Sequence, residues 1–295
     1  METYSTISEI RSYVTECKRN SQRVALVPTM GALHEGHLSL FRLAAENADK
    51  VIASIYVNPT QFAPGEDFEE YPRELEKDLQ KCKQEGVSAV FIPSDQTMYP
   101  GTETNTESKS GEQQAISFRI ADLNDHLCGA KRSGHFEGVL LVVSKLFNIV
   151  NPDVAVFGQK DIQQFIILEH LVQRLHFPIE LIRGPIVRDK DGLALSSRNA
   201  YLNDEQRALA PSLFRCLSYI KQQISDGAAN VAMLTGHQEA ELEQKGLNVE
   251  YLSVVEYHSL MPVETISSSE SGEYVIAGAV YVGETRLIDN IIVKI

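Results

Sequence analysis

The chain has 295 residues, with 27 Lys and Arg against 40 Asp and Glu, a formal charge of −13 and 43% hydrophobic residues. That composition describes a globular protein long enough for two domains, and its acidic balance excludes a nucleic-acid surface held by bulk charge while permitting a local basic pocket for a nucleotide. Cys17, Cys82, Cys128 and Cys216 stand far apart without a C-x-x-C pair, the N-terminus lacks a signal-peptide apolar core, and no apolar run nears the roughly 18 residues that cross a bilayer, so reduced thiols and a cytoplasmic location are expected.

Residues 5–20 are predicted as a helix with Ile7, Ile10 and Val14 on one side. A short apolar strand at 24–27 meets Pro28 and Gly31, and a helical repeat of Leu38, Phe41 and Ala44 then starts near His34 and runs to about 49. This strand, turn and helix place His34 and His37 three apart, on one face, at a helix N-terminus above the carboxyl end of a strand, where backbone N–H groups attract phosphate. Gly31 and Gly36 leave room for a ligand near the backbone. Two histidines at this spacing are not read as zinc ligands, because a third ligand and the H-E-x-x-H pattern are both missing.

The apolar run 51–57 is the next strand, ended by Asn58-Pro59, and Asn58 and Gln61 are neutral amides placed to orient a ligand. Residues 71–85 form a charged helix whose inner stripe is Leu75, Leu79 and Cys82, with Asp78 read as a surface residue. A strand at 87–92 completes a third strand–helix alternation, which favours right-handed βαβ units. The polar stretch 101–115 lacks periodicity and is read as an exposed insert; a short strand is expected at 116–120. After a Gly-rich loop, 139–150 is an apolar helix, 154–157 a strand, 162–175 a helix with Lys160, Asp161 and Gln164 at its corner, and 177–182 a closing strand. Gly184-Pro185 reads as a hinge. Beyond it come the loop 187–199, helices at 204–223 and 228–245, and alternating strands at 249–257, 274–282 and 288–293, a small α+β domain with one wet sheet face. The expected architecture is α/β: a Rossmann-like open parallel sheet with helices on both faces over 1–185, and a smaller α+β lid domain over 186–295.

Seven dispersed blocks, 28–37 (PTMGALHEGH), 57–62 (VNPTQF), 71–73 (YPR), 131–139 (KRSGHFEGV), 145–148 (KLFN), 157–164 (FGQKDIQQ) and 195–199 (LSSRN), resemble in order those of the pantoate–β-alanine ligases, within the cytidylyltransferase-like Rossmann superfamily. The resemblance implies a carbon–nitrogen bond-forming ligase that converts pantoate and ATP to pantoyl adenylate and pyrophosphate, then lets β-alanine displace AMP. It also implies ATP and Mg²⁺ and a homodimer, while the acidic balance and the short apolar runs lead to no expected nucleic-acid or membrane partner. By the resemblance His34, His37, Lys160 and Arg198 carry catalysis; Met30, Gly31, Gly158, Asp161, Ser196 and Ser197 join them around the nucleotide; and Met30, Gln61 and Gln164 receive pantoate. No protein residue is implied as a metal ligand. His135 stands between a role near the β-alanine amine or pyrophosphate and a structural hydrogen bond. One departure is Leu195, where the family's phosphate loop commonly begins with Met, an exchange that keeps size and apolarity. The alternatives are another nucleotidyl transferase of the superfamily or an inactive nucleotide-binding relative, which pantoate-dependent pyrophosphate release tells apart.

Overall fold

The computed structural model describes residues 1–101, 116–267 and 271–295, so the predicted insert lies, apart from Gly101, outside the described residues. In chain order the regular elements are β1 (Glu2–Tyr4), α1 (Ile7–Arg19), β2 (Val24–Thr29), α2 (Glu35–Asn47), β3 (Lys50–Ile55), α3 (Leu75–Gln84), β4 (Ala89–Phe91) and α4 (Asp95–Met98). There follow α5 (Leu127–Lys131), α6 (His135–Val150), β5 (Val154–Gly158), α7 (Ile162–Arg174) and β6 (Glu180–Gly184). The C-terminal part holds α8 (Asp204–Leu209), α9 (Ser212–Ser225), α10 (Val231–Gln244), β7 (Asn248–Glu256), β8 (Glu273–Val282) and β9 (Thr285–Lys294). Residues 116–120 form no strand, and the helix expected over 204–223 is two, because Pro211, which has no backbone N–H, stands between α8 and α9.

The chain divides into two compact units, one of Met1–Asn124, Arg132–Gly158 and Ile167–Gly184, the other of Asp125–Lys131, Gln159–Ile166 and Pro185–Ile295. The first is built on a six-stranded sheet in the order β1-β4-β3-β2-β5-β6, and every pairing is parallel. Strand alternation sends Ala25, Val27, Ala53, Ile55, Val154 and Val156 to one face, where they pack with Leu40, Phe41 and Ala44 of α2 and Cys82 of α3. α1 and α6 lie against β2, with Ile10, Val14, Leu140 and Phe147 buried. β1, too short to carry a readable period, pairs with Ala89–Phe91 at the sheet edge.

The strand order turns around at β2: β3 and β4 lie to one side of it, β5 and β6 to the other. Ligands of open α/β sheets bind at such a reversal, outside the carboxyl ends of the strands. Thr29 ends β2 there and Gly158 ends β5.

The second unit holds the antiparallel sheet β7-β8-β9. Leu252, Val254, Ile276, Val280, Leu287 and Val293 form one face, packed with Leu213, Leu217, Ile220 and Ile224 of α9 and with Leu242 of α10. The expected wet face is absent at β8, where residues 274–280 are buried without interruption. The reason is that both segments this unit takes from earlier in the chain meet the opposite face. The Cys128 thiol lies 3.1 Å from the Tyr251 hydroxyl, and Asn290 bonds the backbone of Gln159 and Lys160.

Candidate functional site

At the switch point β2 leads into Met30 and Gly31, and α2 begins four residues later. Gly31 has φ +81°, a left-handed conformation that favours glycine, and a Cβ on it would lie 2.9 Å from Asp78 Oδ2 and 3.2 Å from Ile55 Cγ2. The space it leaves is therefore filled by a carboxylate from α3. Asp78, expected on the surface, is 1% exposed; its Oδ2 accepts the Ala32 N–H and its Oδ1 the Leu33 N–H, each at 2.8 Å. Lys81, one turn further along α3, donates to the Leu33 carbonyl. The loop ahead of the two histidines is thus held by a neighbouring helix.

His34 is the N-cap of α2, and its Nδ1 accepts the Gly36 N–H at 3.1 Å. His37, three residues on, returns the bond: its Nδ1 accepts the His34 N–H at 3.3 Å, so two imidazoles make the reciprocal capping box usually built from a hydroxyl and a carboxylate. A ring nitrogen that accepts carries no proton, so each neutral imidazole keeps its proton on Nε2. The rings lie 4.1 Å apart between centroids. This arrangement sets both Nε2–H groups at a helix N-terminus that also has His34 and His37 as its cap, a setting that favours anions.

Beside them, the turn after β3 carries Asn58 and Gln61. Asn58 is 1% exposed; its Oδ1 accepts the Tyr99 hydroxyl at 2.7 Å, and its Nδ2 donates to Gln61 Oε1 at 3.1 Å and to the Gly138 carbonyl at 3.3 Å. Burial pushes the Tyr99 phenol up to about 12. Because Gln61 Oε1 accepts, its Nε2 is the end left to donate, and it meets Met30 Sδ at 3.1 Å. A thioether is a weak acceptor, so a substrate oxygen can replace it. The first turn of α6 approaches so closely that a Cβ on Gly138 would sit 2.2 Å from the Thr60 carbonyl oxygen.

His135 faces the same turn from behind. Its Nδ1 meets the Gln61 carbonyl at 2.7 Å and its Nε2 meets Arg132 Nη1 at 3.0 Å, which assigns the proton to Nδ1. Arg132 in turn holds Glu66 through two bonds of 2.7 and 2.6 Å. Burial acts to raise the Glu66 carboxyl, but the Arg132 guanidinium outweighs it and holds the group below its ordinary value of 4.5. His135 thus makes the hydrogen bonds that one of its two expected roles calls for.

The second unit gathers the remaining candidates. Lys160 is half-buried and Asp161 exposed in the 3-10 turn that follows β5, and Gln164 is half-buried in the first turn of α7. Its neighbour Gln163 is 4% exposed and structural, donating to the His126 carbonyl at 2.7 Å. The segment from Val187 to Leu195 folds back on itself, with Leu195 N–H donating to the Val187 carbonyl at 3.0 Å, so Leu195 closes a hairpin just ahead of Ser196. Ser196 caps the 3-10 turn Ser197–Tyr201, its Oγ accepting the Arg198 N–H at 3.3 Å. Asp189 and Asp191 are engaged by Arg207, at 2.8 and 2.6 Å, rather than by Arg198. Sequence reasoning missed Asp78, Tyr99, Arg132 and Glu66; only the cluster of polar residues in each segment hinted at them.

The model of the Pantoate-beta-alanine ligase family matches residues 2–292. The pantothenate synthetase of Pseudomonas fluorescens (strain SBW25) is 47% identical over 291 residues, covering 99% of this chain and 98% of its own. That of Moorella thermoacetica is 46% identical over 296 residues, 100% of this chain and 99% of its own. The crystal structure of pantothenate synthetase from Thermus thermophilus superposes with a TM-score of 0.86 at 38% identity over 99% of each chain. The pantoate-beta-alanine ligase of Francisella tularensis, complexed with beta-gamma ATP and beta-alanine, gives 0.76 at 30% identity over 99% of this chain and 97% of that one.

Proposed function

The chain belongs to the pantoate–β-alanine ligase family, and from this premise we propose which of its side chains serve each step. The reaction is the ATP-dependent condensation of pantoate with β-alanine to pantothenate through pantoyl adenylate. A pantoate carboxylate oxygen attacks the α-phosphorus and pyrophosphate leaves; the β-alanine amine then attacks the acyl carbon and AMP leaves. The first step brings an anion to a polyanion, so the protein must offset charge where it grows, on the phosphoryl oxygens and on the leaving group.

In our reading His34 and His37 direct their Nε2–H groups to the phosphates, while Lys160 and Arg198 supply fixed positive charge. Gly31, Gly158, Asp161, Ser196 and Ser197 line the nucleotide site, and Arg198 moves with its loop over the triphosphate. Met30, Gln61 and Gln164 hold pantoate. Neutral amides suit that place, since they bind hydroxyl and carboxylate oxygens without quenching the nucleophile. In this reading binding of nucleotide and pantoate is the task of 1–185 and closure that of 186–295, although the compact units assign 125–131 and 159–166, with Lys160, Asp161 and Gln164, to the second. The supporting observation is the pair of Nδ1 atoms committed to backbone N–H groups, which puts the proton of each imidazole on Nε2.

Mg²⁺ enters in this reading as part of the nucleotide substrate, with the phosphates and water as its ligands. Among the described residues no group of three His, Cys, Asp or Glu side chains is gathered to hold an ion. We further propose a homodimer working in the cytoplasm; among the described residues no helix is long and apolar enough to cross a membrane. The test is pyrophosphate release that requires pantoate, followed by AMP release only when β-alanine is added. Release of pyrophosphate without pantoate would refute the assignment.

A further inference from the structure

We propose that Asp289 and Asn290 of β9 are positioning residues that hold, from the two faces of one strand, the turn bearing Lys160 and the hairpin leading to Ser196–Arg198. The inference rests on the reading of those residues as triphosphate ligands. Consecutive strand residues point to opposite faces, and here both faces are occupied.

Asn290 is 1% exposed, and its Nδ2 donates to the carbonyls of Gln159 and Lys160, both at 2.9 Å. Its Oδ1 accepts from Gln159 Nε2 at 3.2 Å. Both amide protons and the amide oxygen are therefore spent on the backbone and side chain that set where Lys160 departs from the chain. An aspartate of the same shape keeps the bond from Gln159 Nε2 but replaces the donor to both carbonyl oxygens with a carboxylate oxygen that repels them.

Asp289, 5% exposed, lies on the other face and binds Arg188 through two bonds of 2.5 and 2.8 Å. Arg188 also donates to the Gly192 carbonyl at 3.0 Å, and its guanidinium stands 3.9 Å from the centre of the Phe214 ring. A planar fork held at both ends and stacked on an aromatic ring is a fixed strut, and the hairpin it fixes runs directly into Ser196. One dipeptide thus sets two separate segments that the adenylation step needs in register, although neither of its side chains belongs to the set assigned to substrates.

The experiment uses the full-length chain with Asn290→Asp, Asp289→Asn, Lys160→Ala and the double variant Lys160→Ala/Asn290→Asp. Two half-reactions are followed separately: pantoate-dependent pyrophosphate release from MgATP, and conversion of preformed pantoyl adenylate by β-alanine. Asn290→Asp is expected to slow the first about tenfold or more and to leave the second within about twofold. The double variant is expected to match Lys160→Ala within about twofold, since the two residues act as one unit. Equal losses in both half-reactions, unchanged pyrophosphate release, or effects that multiply in the double variant would overturn the proposal. Should Asn290→Asp not fold, Asp289→Asn is read by the same split. A damaged Lys160→Ala beside an intact Asn290→Asp overturns this inference alone, whereas an undamaged Lys160→Ala overturns the reading it rests on as well.

Discussion

Asp78 grips the loop ahead of the histidines by accepting the N–H groups of Ala32 and Leu33, each at 2.8 Å, from a position 1% exposed. Asp78→Asn keeps the shape but turns an N–H group toward one of those donors, and Asp78→Ala leaves both buried donors without their acceptor. Each unsatisfied donor costs about 1–3 kcal/mol, so Asp78→Ala should lose roughly 2–6 kcal/mol of stability and Asp78→Asn about half of that. Urea unfolding checks the order. Equal stability of all three proteins would show that the loop does not depend on this carboxylate.

The capping box fixes both imidazole tautomers, and this is directly observable. Nitrogen chemical shifts of His34 and His37 at neutral pH are expected to show protonated Nε2 and unprotonated Nδ1 in each ring. Removing one of these donors in His37→Ala should slow single-turnover adenylate formation by about 10²-fold, the loss of roughly 3 kcal/mol that one transition-state donor provides. Unchanged kinetics would take His37 off the catalytic list.

Tyr99 orients Asn58, and Asn58 orients Gln61, so the amide proposed to hold pantoate is set from two residues away. Tyr99→Phe removes one buried donor and should raise KM for pantoate about five- to tenfold, with KM for ATP within about twofold. Gln164→Ala is expected to show the same selectivity. Equal loss of affinity for both substrates in steady-state kinetics would contradict the pocket assignment.

The strand–turn–helix around His34 and the turn carrying Asn58 and Gln61 were legible because each depends on neighbours within a few residues, and the parallel sheet, whose pairings reach as far as Ala25 with Val154, was legible only through the alternation of strands and helices. The 3.6-residue repeat announced α2, and Asn58-Pro59 announced the end of β3. Asp78 was not legible, since in the charged run of α3 one carboxylate looks like any other and its partners lie 46 and 45 residues away. The same holds for Asn290, whose bonds to Gln159 and Lys160 span 131 and 130 residues. Pro211, which has no backbone N–H, is a local signal of the break between α8 and α9 that the single helix expected over 204–223 runs across. The dry outer face of β8 depends on segments from earlier in the chain, which strand alternation does not reveal.

If Mg²⁺ belongs to the nucleotide, the protein freed of ATP should not retain it. Metal analysis after gel filtration in Mg²⁺-free buffer is expected to find far less than one ion per chain, while activity restored by added Mg²⁺ should follow the concentration of MgATP. A stoichiometric ion that survives gel filtration would locate ligands on the protein and refute this reading.

Glu66 links stability to pH. Its carboxyl is held below 4.5 because the Arg132 guanidinium and the Ala63 N–H outweigh the cost of burial. A carboxylate whose folded value is depressed adds stability above its unfolded value and loses it as pH falls through the folded one. The contribution should therefore be full at pH 6 and fade below about pH 4.5. Glu66→Gln removes the charge and leaves Arg132, with a side chain only 16% exposed, without its counter-ion. The variant should consequently be less stable than the parent at pH 6 by about 1–3 kcal/mol, and the gap should narrow as the parent's own carboxylate is protonated. Denaturant unfolding at pH 6, 5, 4 and 3.5 measures it. A gap that stays constant across that range would mean Glu66 keeps its ordinary value and that Arg132 is held by something other than its charge.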